Sequence, residues 1–160
     1  MSEQMRRLND DLTEWLRERN TNKGDKFTVG DVMAGLSLGP AHRPVVAELL
    51  DVWLKCGFVE KFGAREQLTA VGFDILYPES TEEAEAVVRA DILDFLRVEG
   101  LKDGHVFISQ KYLAERRDAL NPRQREVIQD VIEDLIMEDL LARDSRRAIV
   151  LTAAGVVALS

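Results

Sequence analysis

The nine residues LTAVGFDIL at 68–76 return almost unchanged as LTAAGVVAL at 151–159. A repeat of this kind constrains folding more than any other feature of the chain, because each copy must build the same local structure from its own residues. The match reaches well beyond the nine. At an offset of 80, LTEWLRERNTNKGDKF (12–27) aligns with ILDFLRVEGLKDGHVF (92–107), placing Leu12, Trp15, Leu16, Gly24 and Phe27 over Ile92, Phe95, Leu96, Gly104 and Phe107. At 82, GPAHRPVVAELLDVWLKCGFV aligns with NPRQREVIQDVIEDLIMEDLL, so that Pro40, Val46, Leu49, Leu50 and Trp53 meet Pro122, Ile128, Val131, Ile132 and Leu135. At 83 the two endings coincide, and the small drifts fall at turns, where insertions are tolerated. Two domains are therefore expected, 1–78 and 79–160, joined near Pro78. Each is of a size at which a single core is only modestly stable.

Each copy reads as the same run of elements. Leu8, Leu12, Trp15 and Leu16, like Val88, Ile92, Phe95 and Leu96, recur at helical spacing. Ser80 and Glu83 form a capping-box pattern ahead of the second of these helices. A polar, glycine-containing loop follows, then a short extended stretch, KFTV or VFIS, then a short helix over 29–36 or 110–117 with Thr28 or Ser109 as N-cap. A Gly39-Pro40 or Asn121-Pro122 turn opens a third helix. Its apolar stripe carries Val46, Leu49, Leu50 and Trp53, or Ile128, Val131, Ile132 and Leu135. GFVEKFGAREQL and DLLARDSRRAIVL read as hairpins, with apolar ends and polar middles. Thr69 or Thr152 caps a final short helix. Trp53 and Leu135, and likewise Trp15 and Phe95, are expected at equivalent buried places.

Composition excludes several function classes. The net charge of −8, from 21 basic and 29 acidic residues, argues against a non-specific nucleic-acid coat. Residues 1–78 carry 10 basic and 12 acidic side chains against 11 and 17 in 79–160, so an anionic partner should be met mainly through the first half or local basic clusters. No run approaches the roughly 18 apolar residues of a membrane span, and MSEQMRRLNDDL lacks an apolar signal region, so a cytoplasmic protein without membrane partners is expected.

Catalytic, metal and cofactor readings find no motif. His42 and His105 have no second histidine or CxxC pair at ligand spacing. Cys56, the lone cysteine, ends an apolar helix, where a buried inert thiol is expected. The glycines form neither GxGxxG nor GxxxxGK[ST] after a strand. The carboxylates, as in ERRDALNPRQRE, stand beside arginines on solvent faces. A non-enzymatic protein without cofactor is expected.

The order helix, short strand, helix, helix, hairpin, helix resembles the winged-helix fold, and GFVEK…LTAVG resembles the wing and closing helix of MarR- and PadR-type repressors. The resemblance covers about 3–77 and 80–160. It implies an α+β, mainly helical chain of two tandem winged-helix domains. It further implies that the start of each third helix reaches base edges while the wing holds phosphates. Carried over by position, the DNA-contacting residues would be His42 and Arg43 with Lys61 and Arg65 in the first copy. In the second they would be Arg123, Gln124 and Arg125 with Arg143, Arg146 and Arg147. Arg and Gln can make bidentate base contacts.

Two functions remain open. One is a DNA-binding transcriptional regulator, acting as a pseudodimer within one chain or as a homodimer. The other is an adaptor that binds another protein, since the acidic tandem arrangement resembles in architecture segregation and condensation protein B and the tandem winged-helix subunits of ESCRT-II. Gln129, Asp130, Glu133 and Asp134, opposite the buried stripe of the second third helix, would repel phosphates and favour the adaptor.

Overall fold

Ser2 starts the first helix. Its hydroxyl accepts the Met5 N–H at 3.1 Å, and α1 runs over Glu3–Glu18 in a computed structural model that describes residues 1–160. Met5, Leu8, Leu12 and Leu16 are its buried stripe, spaced by three or four residues as one helical face requires. The chain divides into two compact units, Met1–Pro78 and Glu79–Ser160. Both combine several helices with one small antiparallel sheet, which makes the protein α+β and mainly helical.

In the first unit α1 is followed by β1 (Lys26–Phe27) and α2 (Val29–Gly35), which Thr28 and Asp31 open with a reciprocal capping box. A single 3-10 turn, Pro40–His42, leads into α3 (Arg43–Lys55). The hairpin β2 (Val59–Phe62) and β3 (Arg65–Leu68) turns at Gly63, whose φ of 63° suits glycine at a two-residue connection. Strand β1 pairs with the far side of β3, giving the order β1-β3-β2, and α4 (Ala70–Leu76) closes the unit. Trp53 is buried, and its indole N–H donates to Asn9 Oδ1 at 2.8 Å. Trp15 is only half-buried, contrary to expectation. It packs edge-on against Phe27 under the Arg19 guanidinium, with Gly35 pressed against the indole.

The second unit begins with α5 (Thr81–Val98), capped by Ser80, whose hydroxyl accepts the Glu83 N–H. Then come α6 (Ser109–Arg116), α7 (Pro122–Glu126), α8 (Ile128–Met137), the hairpin β4 (Leu141–Arg143) and β5 (Ile149–Leu151), and α9 (Ala153–Leu159). Phe95, Ile132 and Leu135 lie in its core. Three details depart from the sequence reading. VFIS forms no strand, only an isolated bridge from Val106 to Val150. Ser109 is the first helical residue rather than the cap, and Ile108 precedes it without a side-chain bond. The third helix is broken: Asn121 and Gln124 close a capping box around the short α7, and Val127, at φ −96° and ψ −2°, turns the chain into α8.

The repeated sequence performs the same task twice. Thr69 accepts the Gly72 N–H and donates to the Gly57 carbonyl at 2.6 Å, and Thr152 accepts the Gly155 N–H and donates to the Asp139 carbonyl at 2.5 Å. Gly24 and Gly104, at φ 84° and 83°, donate to the carbonyls of Leu68 and Leu151. Arg17 and Arg97 reach the last turns of α4 and α9, where Leu76 and Leu159 offer carbonyls at 2.7 and 3.0 Å. No helix is long and apolar enough to cross a membrane.

Candidate nucleic-acid interface

Pro40 and Pro44 shape the entry to α3, and between them His42 and Arg43 stand exposed with no ion pair. His42 also borders a cleft of about 300 Å³ between the start of α1 and the start of α3, rimmed by Glu3, Arg7 and Asp11 over Leu8, Leu38 and Val45. Arg65 opens β3 directly across from Phe62 and is likewise exposed without an ionic partner. Lys61 differs. It lies opposite Glu66 in the hairpin register and bonds to that carboxylate, whose side chain is 5% exposed. Glu66 occupies the core face of β3, so Lys61 neutralises a charge that burial would otherwise penalise.

In the second unit most of the corresponding side chains serve the fold. Gln124 completes the α7 capping box through Oε1, while its Nε2 lies 3.3 Å from the Glu79 carboxylate. Asn121 reaches the same carboxylate at 2.5 Å. Arg125 donates to the Arg117 carbonyl, with Nε at 3.0 Å. Arg123 is half-buried on α7. Arg143 bonds to Glu133 of α8, and this hydrogen bond holds the Glu133 carboxyl below the ordinary carboxylate range.

Arg146 and Arg147 are exposed in the β4–β5 turn, which Asp144 braces by accepting the N–H groups of Arg146 and Ala148 at 2.8 and 2.9 Å. Arg147 sits at φ 64°, in the left-handed region that tight turns use. On α8 the exposed face carries Gln129, Asp130 and Asp134 with half-buried Glu133 beside them. That surface is acidic where the aligned surface of α3 carries Ala47, Glu48, Asp51 and Lys55.

One arrangement carries no mark in the sequence reading. Asp91 of α5 accepts from buried Tyr112 at 2.7 Å and from Arg116 Nη2 at 2.5 Å, clamping α6 onto α5. Burial first, and then the Asp91 hydrogen bond, push the Tyr112 hydroxyl far above its ordinary pKa. Cys56, expected inside, is exposed at the C-cap of α3, beyond Trp53, the last buried residue of that helix.

No protein-family model matches the chain, and comparison with curated proteins gave no match.

Proposed function

We propose that the two units are tandem winged-helix domains and that the chain binds duplex DNA as a non-enzymatic transcriptional regulator. The element order supports the fold reading in both units, and in the first the strand order β1-β3-β2 adds the short strand that flanks a wing. One observation carries the DNA reading: His42 and Arg43 project from the start of α3, and Arg65 from the hairpin, with no carboxylate neutralising any of them. A helix start and a wing are where a winged helix meets base edges and phosphates. In the second unit, taken by itself, Arg146 and Arg147 are the exposed cations of the hairpin turn and would meet phosphates there.

Titrating the purified chain with mixed-sequence duplex DNA at low and moderate salt tests this. Binding that weakens as salt rises and weakens further in Arg43→Ala supports it. Absence of binding at low salt, where non-specific electrostatics are strongest, counts against it.

The acidic outer face of α8, with Arg143 already paired to Glu133, favours a second reading for that unit: a protein-binding surface for a basic partner. In that case the chain would be an adaptor.

A further inference from the structure

Residues directly opposite each other in a sheet share a face. In the first unit Phe27, Glu66 and Lys61 form one row across the three strands on the core side. The next row, Lys26, Gln67 and Glu60, lies on the solvent side, as do Arg65 and Phe62. Phe62 is 57% exposed, and the Lys26 ammonium sits 4.4 Å from its ring centroid. An aromatic ring so placed contributes little to the core. The second unit makes the corresponding hairpin, one residue longer at its turn, without it: by register the row becomes Val106, Val150 and Ala142, and the Phe62–Arg65 pair becomes Asp144 and Ala148. The aromatic and its two cations are therefore not required by the repeat.

We propose that this solvent face, Phe62 with Lys26, Arg65 and Gln67, is a stacking site for an unpaired nucleobase and its phosphate, so that single-stranded nucleic acid binds there. Every base offers a π-face to an exposed aromatic ring, whereas a duplex keeps those faces stacked internally. The long stem of Lys26 lets its ammonium leave the ring for a phosphate as the base arrives, and Arg65 flanks the ring from the opposite strand. Gln67, in the middle of the row, presents both a donor and an acceptor to a base edge. Glu60 is the one carboxylate on this face. It lies at the β2 edge and repels phosphate, which directs the nucleic-acid backbone toward Lys26 and Arg65. Two cations around an exposed ring match an anionic, π-faced ligand better than an apolar protein surface. The site does not use α3 and shares only Arg65 with the proposed duplex contact, so Phe62 and Arg43 are the residues that tell the two apart.

Fluorescence anisotropy of the full chain with labelled oligo(dT) and oligo(U) of about 15 nucleotides, beside a labelled duplex at the same low salt, tests the proposal. Both Phe62→Ala and Phe62→Leu should weaken single-strand binding at least about fivefold while leaving duplex affinity within about twofold. Arg43→Ala should do the reverse. The relative strength of the two oligonucleotides identifies DNA or RNA as the source. The proposal is overturned if neither oligonucleotide binds, as for a protein-binding face, or if Phe62→Leu binds as tightly as the parent. It is also overturned if Arg43→Ala abolishes single-strand binding. Loss of duplex binding alone would sink the regulator reading and leave this site standing.

Discussion

The backbone of Gly72 lies directly against the carbonyl oxygen of Phe58, closer than any side chain would allow, and Leu68 Cδ1 stands 2.6 Å from where a Cβ would be. Gly155 meets the Leu140 carbonyl and Leu151 Cδ1 in the same way. The first turn of each closing helix is thereby seated on the start of its hairpin, with Thr69 or Thr152 bonded across the joint. This contact explains why LTA-x-G is written twice.

Gly72→Ala and Gly155→Ala should each cost roughly 1–3 kcal/mol, because a rigid carbonyl cannot yield as a flexible side chain can. The thermal midpoint would fall by about 4–8 °C per kcal/mol in a unit of this size. Gly39→Ala is the matched control. Its φ is −76° and nothing lies within 4 Å of the added methyl, so it should leave the midpoint unchanged or slightly raised. Equal losses at Gly39 and Gly72 would refute the close-packing explanation.

Trp53→Ala should cost roughly 3–5 kcal/mol, and Leu135→Ala roughly 2–5, by loss of transfer energy and the cavities left behind. Trp53 also satisfies Asn9, so its removal strands a half-buried amide oxygen. Trp15→Ala should cost less, since that indole is half-exposed and braced by Arg19 rather than enclosed. Chemical denaturation of the three variants orders them directly.

That ordering illustrates what the sequence can disclose. Helical periodicity places Leu12, Leu16, Ile92 and Leu96 inside correctly because buried apolar stripes recur every three or four residues. It misplaces Trp15 because alignment with Phe95 says nothing of Gly35, which leaves the indole room to lie at the surface. The break at Val127 escapes notice because RQREVIQDVIEDL has helical spacing throughout, while the Asn121–Gln124 box imposes a separate short turn. For the candidate interface, residue type alone identifies the arginines but not their partners. Arg43 and Arg125 align in the repeat, yet Arg43 opens α3 while Arg125 lies near the end of the short α7 and folds back onto the Arg117 carbonyl. Tertiary contacts of this kind, like Lys61 with Glu66, depend on chain geometry that spacing does not encode.

Tyr112 provides a pH-dependent signature of the second unit. Its hydroxyl is neutral in both folded and unfolded chains below the ordinary tyrosine range, so it contributes no pH slope there. Above about pH 10 the unfolded chain ionises while the buried phenol does not, and stability falls by up to about 1.4 kcal/mol per pH unit. Tyr112→Phe removes that slope and loses the Asp91 hydrogen bond, at a cost of about 1 kcal/mol near neutrality. Urea unfolding of both proteins from pH 7 to 11 should show the variant less stable at pH 7 and the difference shrinking as pH rises. A constant difference would mean that the hydroxyl titrates normally.

The duplex contacts proposed for the first unit and the second hairpin predict an uneven response to mutation. Arg43→Ala, Arg65→Ala and Arg147→Ala should each weaken duplex binding and reduce the log-log salt slope by about one, since each removes one phosphate-neutralising cation that carries no intramolecular ion pair. Arg143→Ala should change the slope little, because its guanidinium already serves Glu133; that variant should instead return the Glu133 carboxyl toward its ordinary pKa, measurable by NMR titration. Gln129→Ala should leave both affinity and slope unchanged, as a neutral side chain on an acidic helix face has no phosphate to lose. Isothermal titrations across a salt series resolve the two groups. A slope that falls equally in Arg43→Ala and Arg143→Ala would mean that Glu133 releases its arginine on binding, and that the acidic face of α8 approaches DNA after all.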